Sequence, residues 1–479
     1  MFFSPMQKLF GRTSQPSRRR PPARFRPWLE ALETRLVPAV LDVGAGETYT
    51  TIGAAVAAAH PGDIIKVDPG TYAEQVNVNV NDLTIEGANA GINPVTGTRG
   101  PESIVTGAGN GGKTPFYVTA NDVTIDGFTI EEATNDNQFG YGILLSPATH
   151  GSTVINNIIT DNIVGIGLAN NSSTDQTLIQ YNLIENNNEP GASSGTGIYT
   201  DEFVAGGNLT NVLIDSNTFT GNDNSAVILG ATTDNSFPGT TPKQSAITIS
   251  NNVMDGNGSG VFVSSATNAS ITSDKIVNST SGDGVFIGGG VNGLTITNDQ
   301  ISGNDGFAIN IGPDVSGNAG FFSATNSNIT ANYDNIENNT AGAISITPGR
   351  YTGTLDATYN WWGSTDGPAP GSIIGNVNYT PWLIAPANTS STLFWHDGSG
   401  DVLMVDTSTG NYAFFLADGE VFSGTNAVIH HDKLQIRSLR EMGQIFLARG
   451  PLDGEIKANL TGRGNEVFYL TPFTPGPVD

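Results

Sequence analysis

The chain has 479 residues, 37% of them hydrophobic, with 60 Gly, no Cys and a formal net charge of −25. This composition suits a turn-dense β protein with a large core, and the absence of cysteine excludes a disulfide frame, a thiolate nucleophile and a cysteine-based zinc site. Residues 41–392 carry 6 Lys and Arg against 32 Asp and Glu, a body that repels nucleic acid and anionic membranes but is compatible with cations and neutral glycans.

Residues 1–39 are basic and rich in Pro and Arg. They hold no apolar run long enough for a signal-peptide core or a membrane span, so they are expected to be a disordered, export- or targeting-like segment. The Ala-rich stretch Ile52 to Ala59, ended by Pro61-Gly62, predicts one short amphipathic helix placed to cover an open sheet edge.

From about residue 101 the chain repeats one sentence, seen clearly in AITISNNVMDGNGSGVFV (246–263) and again in TLIQYNLIENN, NVLIDSNTFTGN and LTITNDQISGN. Registered on Asn252, one column holds Asn157, Asn182, Asn217, Asn252, Lys275, Asp299, Asp334 and Asn360, a unit of about 24 residues with three longer insertions. Apolar runs of three to five residues alternate at period two and stop at Gly, Asn, Asp or Ser, which describes short strands joined by tight turns. One such unit cannot bury its own apolar face, so the copies must stack. The expected architecture is all-β: a right-handed parallel β-helix of about ten or eleven coils, rising about 4.8 Å per coil. The second Asn of each unit (Asn162, Asn187, Asn222, Asn257, Asn304, Asn339) predicts an inward ladder of stacked amides, scaffold rather than site.

The coils are expected to end near TYNWWGSTDGP (358–368), with Trp361 and Trp362 plugging the last one. Residues 386–392 are assigned as a linker between a β-helix at 40–385 and a small antiparallel β domain at 393–479, whose role the sequence leaves open.

Candidate chemistry falls on the strand after the ladder (GIGL, GIYT, AVIL, GVFV, GVFI, AINI, AISI). If its apolar positions alternate inward, the outward column is Gly167, Tyr199, Ile228, Phe262, Phe286, Asn310 and Ser345. Tyr199, Phe262 and Phe286 are then candidate ligand-binding residues for sugar rings, unless the insertions at 188–196 and 231–245 cover them. Asp201, Glu202 and Asp234 follow the same strand ends and are candidate catalytic carboxylates for glycoside hydrolysis. Asp201, Glu202 and Asp223 are the alternative candidates for binding Ca²⁺, the one cofactor considered. Solvated acidic corners are the plain alternative to both.

The run RFRPWLEALETRLVPA resembles the LEPR-type N-terminal segment of exported bacterial surface proteins, through Leu32, Glu33, Arg35 and Pro38, with Thr34 departing from its Pro. Residues 48–89 resemble the opening of right-handed β-helix proteins of the pectin lyase-like superfamily, including pectin methylesterases, whose GxYxE element is matched by Gly70, Tyr72 and Glu74. The esterase's later motifs QDTL, DFIFG and LGRPW are absent, as are the motif sets of polygalacturonases and the DPH signature of alginate epimerases, so those activities do not transfer. The NWWG run resembles the closing element of bacterial β-helix repeat proteins. Together these imply an exported or surface-associated bacterial protein, monomeric, with no transmembrane segment and no nucleic-acid partner. A non-catalytic glycan-binding or structural role leads. The alternatives are a divergent polysaccharide hydrolase or Ca-assisted lyase, and an adhesin that binds another protein.

Overall fold

The computed structural model describes residues 38–387 apart from 139, 202–203, 207, 231–243 and 313–323. Further on it describes 392–396, 402–406, 408–409, 411–416, 419, 421–425, 427–430, 433–436, 455–460 and 464–471. The N-terminal segment 1–37, with most of its LEPR-like run, lies outside the described residues.

Among the described residues, three parallel sheets run the length of a right-handed parallel β-helix, the hand that parallel crossovers favour. Sheet 1 has 13 strands, from Val40–Val43 to Val377–Asn378; sheet 2 has 10, from Gly70–Tyr72 to Asn335–Glu337; sheet 3 has 11, from Val76–Val78 to Ile373–Ile374. Each coil visits sheets 1, 2 and 3 in turn. Strands of two to seven residues suffice because each strand inside a sheet pairs on both sides with its neighbours one coil away. Inward positions stack like on like, as in Ile159, Ile184, Phe219, Met254, Ile276 and Ile301 of sheet 2, all buried. Burial of such a column at about 25 cal/mol per Å² is what holds coil to coil.

The tight corner between sheets 1 and 2 is built by two residues. The first adopts a left-handed conformation, as Asn156, Tyr181, Ser216, Asn251, Ser273, Asn298, Tyr333 and Tyr359 all do with φ between 55° and 64°. The second points inward as the ladder rung. Asn182 shows the pattern: its Nδ2 donates to Asn217 Oδ1 (2.9 Å), to Val154 O (2.9 Å) and to Gln180 O (3.0 Å). Its Oδ1 accepts the backbone N–H and Nδ2 of Asn157 (2.9 and 3.1 Å). Every polar atom of a buried amide is thus satisfied by the neighbouring coils. A second amide ladder at the next corner runs from Asn162 through Asn187 and Asn222 to Asn257, and resumes from Asn304 to Asn339.

The structure corrects one rung. Asp274, not Lys275, follows Asn252: its Oδ1 accepts Asn252 N–H and Nδ2 at 2.6 and 2.9 Å. Lys275 is the next residue and faces out to Asp255, 3.5 Å away. Asp274-x-Ile276 keeps the spacing of Asn252-x-Met254, and because side chains alternate along a strand, a shift of one turns Lys275 outward.

The helix Ile52–Ala58 buries Ile52, Ala55 and Val56 against the first coils. The GxYxE element is structural here: Glu74 accepts the N–H groups of Ile52 and Gly53 at 2.7 and 3.0 Å, placing its carboxylate on the helix N-terminus. At the other end Trp362 joins the core, and Trp361 donates from Nε1 to Glu337. Trp382, buried, packs edge-on against Phe415 of the C-terminal antiparallel sheet with ring centroids 4.7 Å apart. That sheet has six strands among the described residues, spanning Thr392–His396 to Gly464–Thr471.

Candidate functional site

The outward column of sheet 3 forms in the expected register, with Gly167, Tyr199, Ile228, Phe262, Phe286, Asn310 and Ser345 paired in sequence coil by coil. It extends two coils further back than the repeat indicated, through Leu144 and Tyr117. All of these except Gly167 are half-buried, since alternate residues of the same strands fill the core. Phe262 and Phe286 stack across adjacent coils, centroids 5.5 Å apart and planes within 10°, so the two rings make one apolar ledge.

At the Tyr199 end the column opens into a pocket of about 300 Å³ lined by Tyr117, Tyr141, Leu144, Pro147, Tyr199 and Asp201, together with Val204, Ala192 and Ser193. A glycine makes the space. A Cβ on Gly167 would stand 2.7 Å from Leu144 Cδ1 and 3.1 Å from Tyr141 Cδ1, so any larger residue would press on these two lining side chains. The insertion at 188–196 contributes Ala192 and Ser193, held by Ala192 N–H donating to Asp136 Oδ1 at 2.8 Å. It walls one side of the pocket. The insertion at 231–245 is outside the described residues as far as 243.

Asp201 leaves the strand Thr196–Thr200 and folds the turn that follows. Its Oδ1 accepts Val204 N–H at 2.8 Å, its carbonyl accepts Ala205 N–H at 2.9 Å, and its Oδ2 accepts the Tyr199 hydroxyl at 3.0 Å. Tyr141 is 3% exposed, and burial, then the nearby Tyr199 and Asp201, push its phenol far above the usual range, so it keeps its proton at any physiological pH.

The other candidate carboxylates do not join Asp201 in the described structure. Asp223 precedes the next strand, Ser225–Leu229, whose Ser225 pairs with Thr196. Asp223 and Asp201 therefore flank opposite ends of the sheet, about seven residues or roughly 20 Å apart along the strand direction, too far to share one cation. Glu202 and Asp234 lie outside the described residues. Among the described residues no group of three or more His, Cys, Asp or Glu is placed to hold a metal ion.

Tyr117 and Tyr141 were the site residues the repeat reading missed. Their signal is present: FYV (116–118) and YGILL (141–145) are earlier copies of the same strand.

No family model and no curated protein matches this chain. Solved structures do. The alginate lyase from Paenibacillus sp. str. FPU-7 aligns at 15% identity over 71% of this chain and 99% of that one, with a TM-score of 0.44. The Dettilon tailspike protein aligns at 11% identity over 92% and 82%, also with a TM-score of 0.44. Pectate lyase Pel9A aligns at 13% identity over 74% and 83%, with a TM-score of 0.41.

Proposed function

We propose that the outer face of sheet 3 binds an uncharged polysaccharide without cleaving it, in a protein exported to the bacterial cell surface. The observation that carries this is the continuous column of half-buried apolar and aromatic side chains, ending in a tyrosine-lined pocket, on a face whose outward positions include no Lys or Arg. Aromatic and aliphatic ledges suit the C–H faces of sugar rings. A polyuronate would bring carboxylates to an acidic body, on a face whose described outward positions carry no Lys or Arg to receive them.

A hydrolase is less well supported, because it needs two carboxylates within about 10 Å of each other. Among the described residues lining the pocket Asp201 is the single carboxylate, and it is engaged in folding its own turn. The LEPR-like segment supports export, and among the described residues no helix is long and apolar enough to cross a membrane.

Calorimetric titration of the full chain with soluble neutral oligosaccharides tests the reading. The Phe262→Ala, Phe286→Ala variant is expected to bind about tenfold or more weakly, a loss of about 1.4 kcal/mol or more, while the chain stays folded with a modest loss of thermal stability, because both rings lie outside the core. Equal affinity in wild type and variant would remove the ledge from the account.

A further inference from the structure

The pocket at the Tyr199 end has a chemistry of its own, distinct from the apolar ledge. Three tyrosines converge on it from the strands Phe116–Val118, Tyr141–Leu145 and Thr196–Thr200. The carboxylate of Asp201 stands among them, tied to the Tyr199 hydroxyl at 3.0 Å. The rest of the described lining is apolar or small (Leu144, Pro147, Val204, Ala192) apart from Ser193, and it includes no Lys, Arg or His. Three basic side chains of the coils are engaged elsewhere: Lys66 with Glu86, Arg99 with Glu102, and Lys275 with Asp255.

Electron-rich rings around a carboxylate, in a partly dry concavity, attract a cation that can shed water cheaply. A metal ion is the wrong cation, because hard ions demand six to eight oxygen ligands and the described lining offers one carboxylate. An alkylammonium fits. It is less strongly hydrated than a hard metal ion, it is drawn to aromatic rings by about 0.5–2 kcal/mol per contact, and its carbon substituents fill apolar space beside Leu144, Pro147 and Val204.

We propose that this pocket binds an organic ammonium group, held by the rings of Tyr117, Tyr141 and Tyr199 with Asp201 as its counter-charge. The group could reach the site as a small quaternary amine or as the protonated amine of an amino sugar, and the same chemistry recognises both.

The test is titration of the full chain with choline and its uncharged isostere 3,3-dimethylbutan-1-ol, and in parallel with glucosamine and N-acetylglucosamine. At least one ammonium compound is expected to bind tenfold or more tightly than its uncharged counterpart. A preference for choline assigns a small quaternary amine, and a preference for glucosamine assigns an amino sugar. Asp201→Asn, whose Oδ1 can still accept Val204 N–H, is expected to erase the discrimination between charged and uncharged ligand. Tyr199→Leu removes the ring and keeps the turn, and is expected to weaken the ammonium compound while thermal stability holds. Binding of the uncharged isosteres as tightly as the ammonium compounds, no binding of either ammonium compound, or discrimination that survives both substitutions would overturn the proposal. Failure here is separable from failure of the ledge, since retention of uncharged polysaccharide is measured without any amine present.

Discussion

Replacing Asp299 and Asp334 together with asparagine is expected to raise the melting temperature at pH 8 by roughly 5 °C or more, and to change it little at pH 4. The reason lies in what a ladder rung must do. Each asparagine rung accepts through Oδ1 from the coil before it and donates through Nδ2 to the coil after it. At three successive rungs the donor is missing: Asp299 Oδ1 accepts Asp274 N–H at 2.6 Å, Asp334 Oδ1 accepts Asp299 N–H at 2.9 Å, and Asn360 Oδ1 accepts Asp334 N–H at 2.8 Å.

An ionised carboxylate cannot donate to the rung above, whereas a protonated one can. Burial pushes all three up, Asp274 to about 7 and Asp299 and Asp334 well above the ordinary carboxylate range, with the stacked Asp neighbours raising Asp299 further. Asp215, the other acid acting on Asp274, is itself desolvated but held low by hydrogen bonds from Asn251, Ser250, Gln180 and Ser216. Lys275 faces away from the column toward Asp255.

The sign follows from these directions. The folded chain keeps protons that the unfolded chain releases near pH 4. The stability tied to these groups is complete below about pH 4 and falls as pH rises through the folded values, about 7 for Asp274 and well above the ordinary carboxylate range for the other two. Wild type should therefore be most stable in mild acid and lose stability toward pH 9, and the asparagine variant should flatten that slope. Scanning calorimetry from pH 4 to 9 decides it. A variant less stable than wild type at pH 8 would mean that the carboxylates contribute something the amide cannot.

Asn217→Ala is expected to cost about 4 kcal/mol or more, enough to impair folding of the central coils. Asn217 Nδ2 donates to Ile179 O, Asp215 O and Asn252 Oδ1 at 2.8, 3.1 and 3.1 Å, and its Oδ1 accepts Asn182 N–H and Nδ2 at 3.0 and 2.9 Å. Truncation leaves these buried partners unsatisfied on both adjacent coils, and each costs about 1–3 kcal/mol. Asn186→Gly is the matched control. Asn186 is exposed with φ of 52°, and Gly221 and Gly256 occupy the same corner one and two coils on. It should be nearly neutral. Denaturant titration of both variants separates them, and equal losses would contradict the division of asparagines into buried rungs and solvated corners.

The fold was legible because one short sentence repeats, and each repeat specifies a strand, a left-handed corner residue and an inward amide. The outward column followed from period-two alternation alone. The Lys275 error arose from registering copies on ladder residues rather than on the apolar residue two positions later, which Ile276 marks. The pocket was hidden for a different reason. Its depth comes from the missing side chain of Gly167 and from Ala192 and Ser193 on an insertion, and neither the space nor the folding of that loop is written in local pattern. The separation of Asp201 from Asp223 was likewise invisible until register fixed which end of sheet 3 each one occupies.

Affinity electrophoresis of the full chain, through gels containing either an uncharged polysaccharide or a polyuronate, tests the central claim most directly when reducing ends are assayed in the same samples. The account predicts retardation by at least one uncharged polysaccharide, relieved by the Phe262→Ala, Phe286→Ala substitutions, no retardation by polyuronate, and no new reducing ends. Retardation by polyuronate, or release of reducing ends from either polymer, would contradict it.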